Sequence, residues 1–393
     1  MSNSKVLPHT NALNVENADI SEIDESSLIN YGDNNEQTDT TRTRNTQPQV
    51  KNHFIINQTI LFVYISFFSI IGCFLRIGID LVFSAELAHI ESSTQIIVQS
   101  YFSNIFGCFL LGFIHRLNLK PGPLVTGLTT GLCGCLTTYS KWNQQISLLL
   151  VGMVTTTSQS QLSAICVITI GMLTYSCSYI TGEDFSRWVV SRNVIKRQLS
   201  KKASTICHCC ITMSLVIIIT VLLALIFIYQ SKSYVILTLC LSGLLAPLGA
   251  SMRYVISMVT PKFDFKRKVV VLNRLPTGTL LANVLGSIAI AVCYVIKLHT
   301  HNTTTMVYLD GIQTGFLACL TTVSSFIGEV IQLRRNKPGN TGQESGNTAS
   351  YAYVVITITL CLFCGSMVNL TSVNAYHELG LLSDLANMTN TGL

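Results

Sequence analysis

Two short strings hold most of the polar chemistry of an otherwise apolar chain: GLCGCLTTYSKW at residues 131–142 and GFLACLTTVSSF at residues 315–326. Each places a Thr-Thr pair behind a run of small residues and follows it with serine and aromatic side chains. The hydroxyls of Ser100, Thr138, Ser140, Thr279, Thr322, Ser324 and Ser325, with the amides of Asn104 and Asn283, are donors that can replace an anion's hydration without gripping it as a permanent cation would. Tyr139, Trp142 and Phe326 add aromatic edges of positive quadrupole character. Lys141 lies inside an apolar stretch, where insertion costs about 2.5 to 3.5 kcal/mol, so it is expected to face water, a partner or an anion. The chemistry suggested is passage of an anion. Each type also has a plain structural use. Thr hydroxyls bond their own helix, aromatic rings fill cores, and glycines spaced as Gly127-x-x-x-Gly131 and Gly311-x-x-x-Gly315 bring helices together. Arg76 and Arg253 can snorkel or orient loops, and Glu329 can pair with a cation.

The elements that must position these residues are membrane helices. With 49% hydrophobic and 11% charged residues, the chain has too little polar surface to coat a soluble globule. Nine apolar segments, near 57–82, 96–115, 123–156, 162–181, 208–230, 234–258, 276–297, 307–333 and 351–371, predict nine transmembrane helices and an all-α integral membrane fold. Residues 1–52 are polar, acidic and nearly free of aromatics, and read as a disordered cytoplasmic tail rather than a cleaved signal. Outside that tail, Lys and Arg concentrate around Arg116 and Lys120, from Arg187 to Lys202, from Lys262 to Arg274, and from Arg334 to Lys337. The loop with Glu86 and Glu91 is acidic, so the amino terminus is expected inside and the carboxyl terminus outside. Asn302-Thr-Thr and Asn387-Met-Thr are sequons on the predicted outer side. The 14 cysteines are scattered through apolar spans and imply no disulfide framework; the cluster Cys207-His208-Cys209-Cys210 leaves metal binding and palmitoylation open.

The chain also repeats itself. Arg76 pairs with Arg253, Asn104 with Asn283, and Thr137-Thr138 with Thr321-Thr322, at offsets of 177, 179 and 184 residues. This divides it into a first module at 53–182, a basic loop at 183–207, a linking helix at 208–230, a second module at 231–371 and an outer tail at 372–393. Four spans return a chain to its starting side, so the linking helix is expected to invert the second module. The broken helices of the two copies would then face one another at the midplane. A coupled proton or sodium antiporter needs a titratable relay, for which only Asp80 and Glu329 are candidates. No HExxH or Walker motif points to an enzyme or an ATPase. A protein whose midplane polar residues only join helices is the third reading.

In this order the residues resemble the fluoride channels of the Fluc/CrcB family, and the two-copy, nine-span layout resembles its fungal fluoride exporters. The family pattern is a Gly-rich first helix with Arg, an Asn-x-x-Gly second helix, and a third helix broken at Gly-x-Thr-Thr-Phe-Ser-x-Phe. It is met by residues 72–76, 104–107 and 134–142, and again by 249–253, 283–286 and 318–326. The resemblance, running from about 57 to 371, implies a passive, electrogenic channel that exports fluoride across the plasma membrane and confers fluoride resistance. It implies fluoride and the bilayer as partners, no nucleic acid, no enzymatic activity, and a monomer equivalent to a two-module dimer. It further implies two pores, each lined by Phe positions from both modules. Those positions fall on Tyr139 and Val323, then on Trp142 and Phe326. One pore thus has Tyr139 with Phe326, and Asn104, Asn283, Thr138, Ser140, Thr322, Ser324 and Lys141 complete the pathway; its counterpart, Val323 with Trp142, is expected to be degenerate. Arg76, Arg253 and Glu329 are supporting residues, the motif Glu becoming Gln145 in the first copy. The family's central sodium, the one cofactor expected, would rest on backbone carbonyls of Gly134 and Thr137 and of Ala318 and Thr321, Ala318 replacing a Gly.

Overall fold

A computed structural model describes residues 46–84, 100–152, 157–191, 201–229, 232–260, 275–300, 302–335 and 344–378. Residues 1–45 of the amino-terminal tail, Glu86 and Glu91, the segment 262–274, much of the other basic loops and Asn387 lie outside the described residues, and residues 46–52, read from the sequence as tail, belong to the first helix. The chain divides after His53, and the unit Phe54–Leu393 carries every feature discussed below.

All elements among the described residues are helical. In chain order they are α1 (Thr46–Val82), α2 (Tyr101–Arg116), α3 (Pro123–Thr126), a π-helical stretch Gly127–Cys133, α4 (Gly134–Leu136), α5 (Tyr139–Val151), α6 (Thr157–Ser191) and α7 (Lys201–Tyr229). The second series is α8 (Tyr234–Val259), α9 (Thr277–His299), α10 (Thr303–Gly311), a π-helical stretch Ile312–Leu317, α11 (Ala318–Leu320), α12 (Val323–Arg335) and α13 (Glu344–Glu378).

Among the described residues seven helical stretches are long and apolar enough to cross a membrane, against the nine segments read from the sequence. Helix α2 has 16 residues, about 24 Å at 1.5 Å per residue, short of the roughly 30 Å hydrocarbon core. The stretch from Pro123 to Val151, interrupted at Thr137 and Thr138, is not among the seven, whereas its counterpart Thr303–Arg335, interrupted at Thr321 and Thr322, is. Helix α7, with a mean hydropathy of 3.0 in its apolar window, leaves Met213, Val216, Ile217, Val221 and Phe227 exposed, as a linking helix against lipid would.

Close approach organises the first series. A Cβ on Gly112 would stand 2.1 Å from Tyr179 O, and one on Gly182 would stand 2.0 Å from Phe109 O, so α2 and α6 touch backbone to backbone. The helices that follow the breaks are each fastened to the last helix of the opposite series. Helix α5 meets α13 through Asn143 Nδ2 donating to Cys361 O (3.1 Å), Gln144 Nε2 to Asn369 Oδ1 (3.1 Å) and Asn369 Nδ2 to Ser147 Oγ (2.9 Å). Helix α12 meets α6 through a two-pronged ion pair, Arg335 to Glu183 at 2.7 and 2.6 Å. The largest buried cluster, between these helices, contains Tyr139, Trp142, Tyr175, Val323, Phe326 and Tyr353.

Candidate functional site at the crossed helix breaks

Both breaks fall on the Thr-Thr pairs. Thr137 (φ −99°, ψ 153°) and Thr138 (φ −142°, ψ 126°) are extended between α4 and α5, and Thr321 (φ −97°, ψ 159°) is extended after α11. Extended residues inside a buried helix leave amides and carbonyls without their usual partners, and each of these must be satisfied within the protein.

The asparagines meet part of that need. Asn104 Oδ1 accepts from Thr138 N (2.8 Å) while its Nδ2 donates to Thr138 O (3.3 Å). Asn283 repeats the pair on Thr322, at 3.0 and 3.3 Å. Read from the sequence as donors to an anion, both amides are first of all braces on the extended backbone.

Three amides at the starts of the post-break helices are capped from the other series, while Ser325 N keeps a cap from its own, Thr322 Oγ1 at 3.4 Å. Thr321 Oγ1 accepts from Tyr139 N (3.2 Å) and Ser140 N (3.0 Å), the first residues of α5. Thr137 Oγ1 accepts from Ser324 N (3.2 Å) at the start of α12. A helix start normally takes its cap from the residue preceding it; here the acceptors are exchanged. The four threonines then join in a buried hydroxyl cluster, with Thr137 Oγ1 3.0 Å from Thr322 Oγ1 and 3.1 Å from Ser324 Oγ. Thr321 Oγ1 is 3.0 Å from Ser140 Oγ and 3.4 Å from Thr138 Oγ1. Serines 140 and 324 reach back to Leu317 O and Cys133 O, at 3.4 and 3.2 Å. All six hydroxyl residues have no exposed surface.

Beside this cluster the sequence-predicted aromatic pair is assembled. The ring of Tyr139 lies 5.8 Å from that of Phe326 at an interplanar angle of 83° and 5.4 Å from that of Trp142 at the same angle. These are edge-to-face contacts that direct ring hydrogens across the gap. Trp142 also meets Tyr175, and its buried Nε1 has no acceptor among the described residues. Val323 is fully buried in the same cluster and offers no ring. Lys141, half-buried in the first turn of α5, makes no hydrogen bond or ion pair among the described residues.

Two expectations are corrected. Arg76 and Arg253 do not snorkel: they are 0% and 3% exposed and hold the break carbonyls together. Arg76 donates to Cys135 O (2.7 Å) and to Thr314 O, and Arg253 donates to Gly134 O (2.8 Å), Thr321 O (3.1 Å) and Thr130 O (2.5 Å). Thr130 and Thr314 lie in the two π-helical stretches, whose wide turns free carbonyls from regular helical bonds. Each arginine thus reaches the π-turn of the other series. Among the described residues Glu329 makes no ion pair; Thr279 Oγ1 (2.5 Å) and Tyr353 OH (2.7 Å) donate to its two oxygens.

Sequence reasoning missed both Tyr353 and the bond from Ser100 Oγ to Asp80 (2.7 Å). A tyrosine within an apolar helix carries no signal of the acid it faces. The cysteine cluster diverges: His208 Nδ1 lies 2.8 Å from Tyr64 OH and Cys207 Sγ 3.6 Å from it, while Cys209 and Cys210 are exposed. The four side chains therefore do not converge on a metal.

The residues present do not fit the expected sodium ion. Of the four carbonyls assigned to it, those of Gly134 and Thr321 both accept from one guanidinium nitrogen of Arg253.

A family model described as CrcB-like protein, Camphor Resistance (CrcB), matches residues 63–180 and again residues 240–368. Fluoride export protein 1 of Candida albicans is 34% identical over 142 residues, 34% of this chain and 31% of that protein. A fluoride-specific ion channel FluC of Shewanella sp. (strain ANA-3) is 34% identical over 125 residues, 32% of this chain and 87% of that protein. FluC 1 of Prochlorococcus marinus is 42% identical over 52 residues, 13% of this chain and 45% of that protein. The aligned part of the chain thus spans about a third of the Candida relative. No solved structure matches. With both copies of the repeat matched by one model, the chain belongs to the CrcB-like family.

Proposed function

We propose that the protein is a passive, electrogenic fluoride channel that lets fluoride leave the cytoplasm. The observation that carries the reading is the aromatic pair Tyr139 and Phe326, one ring from each copy, set edge-to-face beside a buried cluster of hydroxyls. Relatives named as fluoride channels and a fluoride exporter supply the identity of the ion. The energetics need no fuel. Weakly acidic HF crosses lipid uncharged and dissociates at neutral internal pH, and the anion cannot recross without a desolvated path. An inside-negative potential then drives it outward. Such a task is transport, not enzymatic conversion.

In this reading the two copies are inverted by α7 and nine segments traverse the plasma membrane, with the amino terminus cytoplasmic and the carboxyl terminus outside. One polypeptide does the work of a two-module dimer. Tyr139 with Phe326 lines the conducting pore, and Val323 with Trp142 the degenerate one. The unpaired ammonium of Lys141 raises the local concentration of anions at the approach to α5.

Fluoride efflux from liposomes loaded with the purified protein tests the proposal, using a potassium gradient with valinomycin to carry compensating charge. Fast efflux that stops without valinomycin, with no chloride efflux, is the expected result. Efflux that persists without valinomycin and follows a proton gradient would instead establish a coupled antiporter. No flux of either ion would leave the polar midplane a purely structural device.

A further inference from the structure

The arginine at the centre of the breaks and the sodium ion implied by family resemblance compete for one position. Arg253 Nη1 donates to Gly134 O at 2.8 Å and Thr321 O at 3.1 Å, one carbonyl from each copy. It therefore stands on the bridging position that an ion shared by those carbonyls would need. Its second nitrogen, Nη2, continues to Thr130 O at 2.5 Å, so the head group is held at three backbone oxygens. The guanidinium is permanently charged, and its residue is 3% exposed.

One sequence position controls access to this place. A Cβ on Gly134 would lie 2.2 Å from Nη2 and 2.7 Å from Cζ of Arg253, so the missing side chain is what admits the guanidinium. The matching residue of the second copy is Ala318, which carries a methyl group where Gly134 has none. Arg76, the matching arginine, does not bond Ala318 O or Thr137 O: its Nη1 goes to Cys135 O and its Nη2 to Thr314 O.

We propose that Arg253 is the resident cation of this protein, a tethered replacement for the central sodium ion, and that the Gly134/Ala318 difference selects it over Arg76. The carbonyls released by the breaks need positive charge or donors, and a guanidinium supplies both in a fixed fork. Free sodium beside it would meet a like charge in a medium that screens poorly. A tethered cation also stays in place whatever the sodium concentration. The inference does not depend on fluoride being the permeant ion, so its test reads stability rather than flux.

The test is thermal unfolding of the purified full-length protein in detergent, in sodium chloride and in N-methyl-D-glucamine chloride at equal ionic strength. The wild-type midpoint is expected to be the same in both salts. A bound sodium at a hundredfold over its dissociation constant would raise the midpoint by about 3 °C, and such a rise in the wild type overturns the proposal. Arg253→Gln keeps a shorter donor but removes the charge, and its midpoint is expected to become sodium-dependent. A folded Arg253→Gln that ignores sodium overturns the replacement, since the carbonyls would then be no cation site. If that variant does not fold, Arg253→Lys takes its place: a point charge without the fork is expected to keep sodium independence at a lower midpoint, and a sodium-stabilised Arg253→Lys overturns the proposal.

Discussion

Thr321→Val isolates the exchanged caps. Valine keeps the β-branched shape but removes the oxygen that accepts from Tyr139 N at 3.2 Å and Ser140 N at 3.0 Å. Both amides are buried at a helix start, where no water replaces the lost acceptor. At about 1 to 3 kcal/mol for each buried donor left unsatisfied, the substitution costs about 2 to 6 kcal/mol. Thr137→Val, the matching change, orphans the single amide of Ser324 at 3.2 Å and costs about half as much. The order is the diagnostic, because the two substitutions are chemically identical and both sites are fully buried. Thermal unfolding of both variants in one detergent reads it. Adding Ser140→Ala to Thr321→Val is expected to cost less than the sum of the two, since their hydroxyls share a bond. Equal shifts for the two Val variants, or a milder Thr321→Val, would refute the exchanged capping.

In flux assays Phe326→Ala is expected to abolish fluoride efflux and Val323→Ala to preserve it, because only the first removes an aromatic edge from the Tyr139 pair; the opposite pattern would reverse the assignment of the conducting pore. Arg335→Ala leaves the Glu183 carboxylate, 5% exposed as a side chain, without its partner. Since the Arg335 side chain is itself half-exposed, a loss of about 1 to 3 kcal/mol is expected. Thermal unfolding should rank Arg335→Ala below Glu183→Gln, which strands no buried charge. Gly112→Ala and Gly182→Ala force a methyl group against backbone oxygens and are expected to lower the yield of monodisperse protein by overpacking the α2–α6 contact. Gly78→Ala, with nothing within 4 Å of the new atom, is the control expected to behave as wild type.

The sequence located the breaks because a break must be written in residue types: small residues before it, hydroxyls within it. The resemblance and the register of the repeat also brought Tyr139 and Phe326 together, and their rings do meet, though Tyr139 lies nearer still to Trp142, which the same reading placed in the other pore. It did not show who satisfies the freed backbone. A threonine that caps a helix across the interface has the same composition as one that bonds its own carbonyl, and Thr137 and Thr321 do both: their hydroxyls lie 3.2 Å from Cys133 O and Leu317 O. The π-helical turns were invisible for a similar reason, since GLTTGLC and IQTGFL carry no mark of an i to i+5 bond. Arg76 and Arg253 were misread as snorkelling because that argument weighs a charge against lipid. Within the fold the alternative is a set of carbonyls already stripped of their partners, and those outcompete the interface.

Exchange of caps, arginines and helix-to-helix seams means that each copy completes the other. The break at Thr137 needs Thr321, Ser324 and Arg253 from the second copy, and the break at Thr321 needs Thr137 and Ser140 from the first. Half a chain would bury these amides unpaired, at a cost no single membrane helix can recover. Covalent linkage then has a consequence for sequence. Two identical copies pairing at random must keep every position fit for both roles. A single chain holding both copies always offers the same partner to the same break, so matched positions are free to differ. Among the matched positions that differ are Gly134 against Ala318, Tyr139 against Val323, and Gln145 against Glu329. At the first of these the smaller residue admits a guanidinium, and at the second only one side keeps a ring. The residues common to both copies, Asn104 with Asn283 and the two Thr-Thr pairs, are those whose bonds run symmetrically across the breaks. Divergence thus reaches groups that act once per molecule, while identity is kept where the backbone must be satisfied twice.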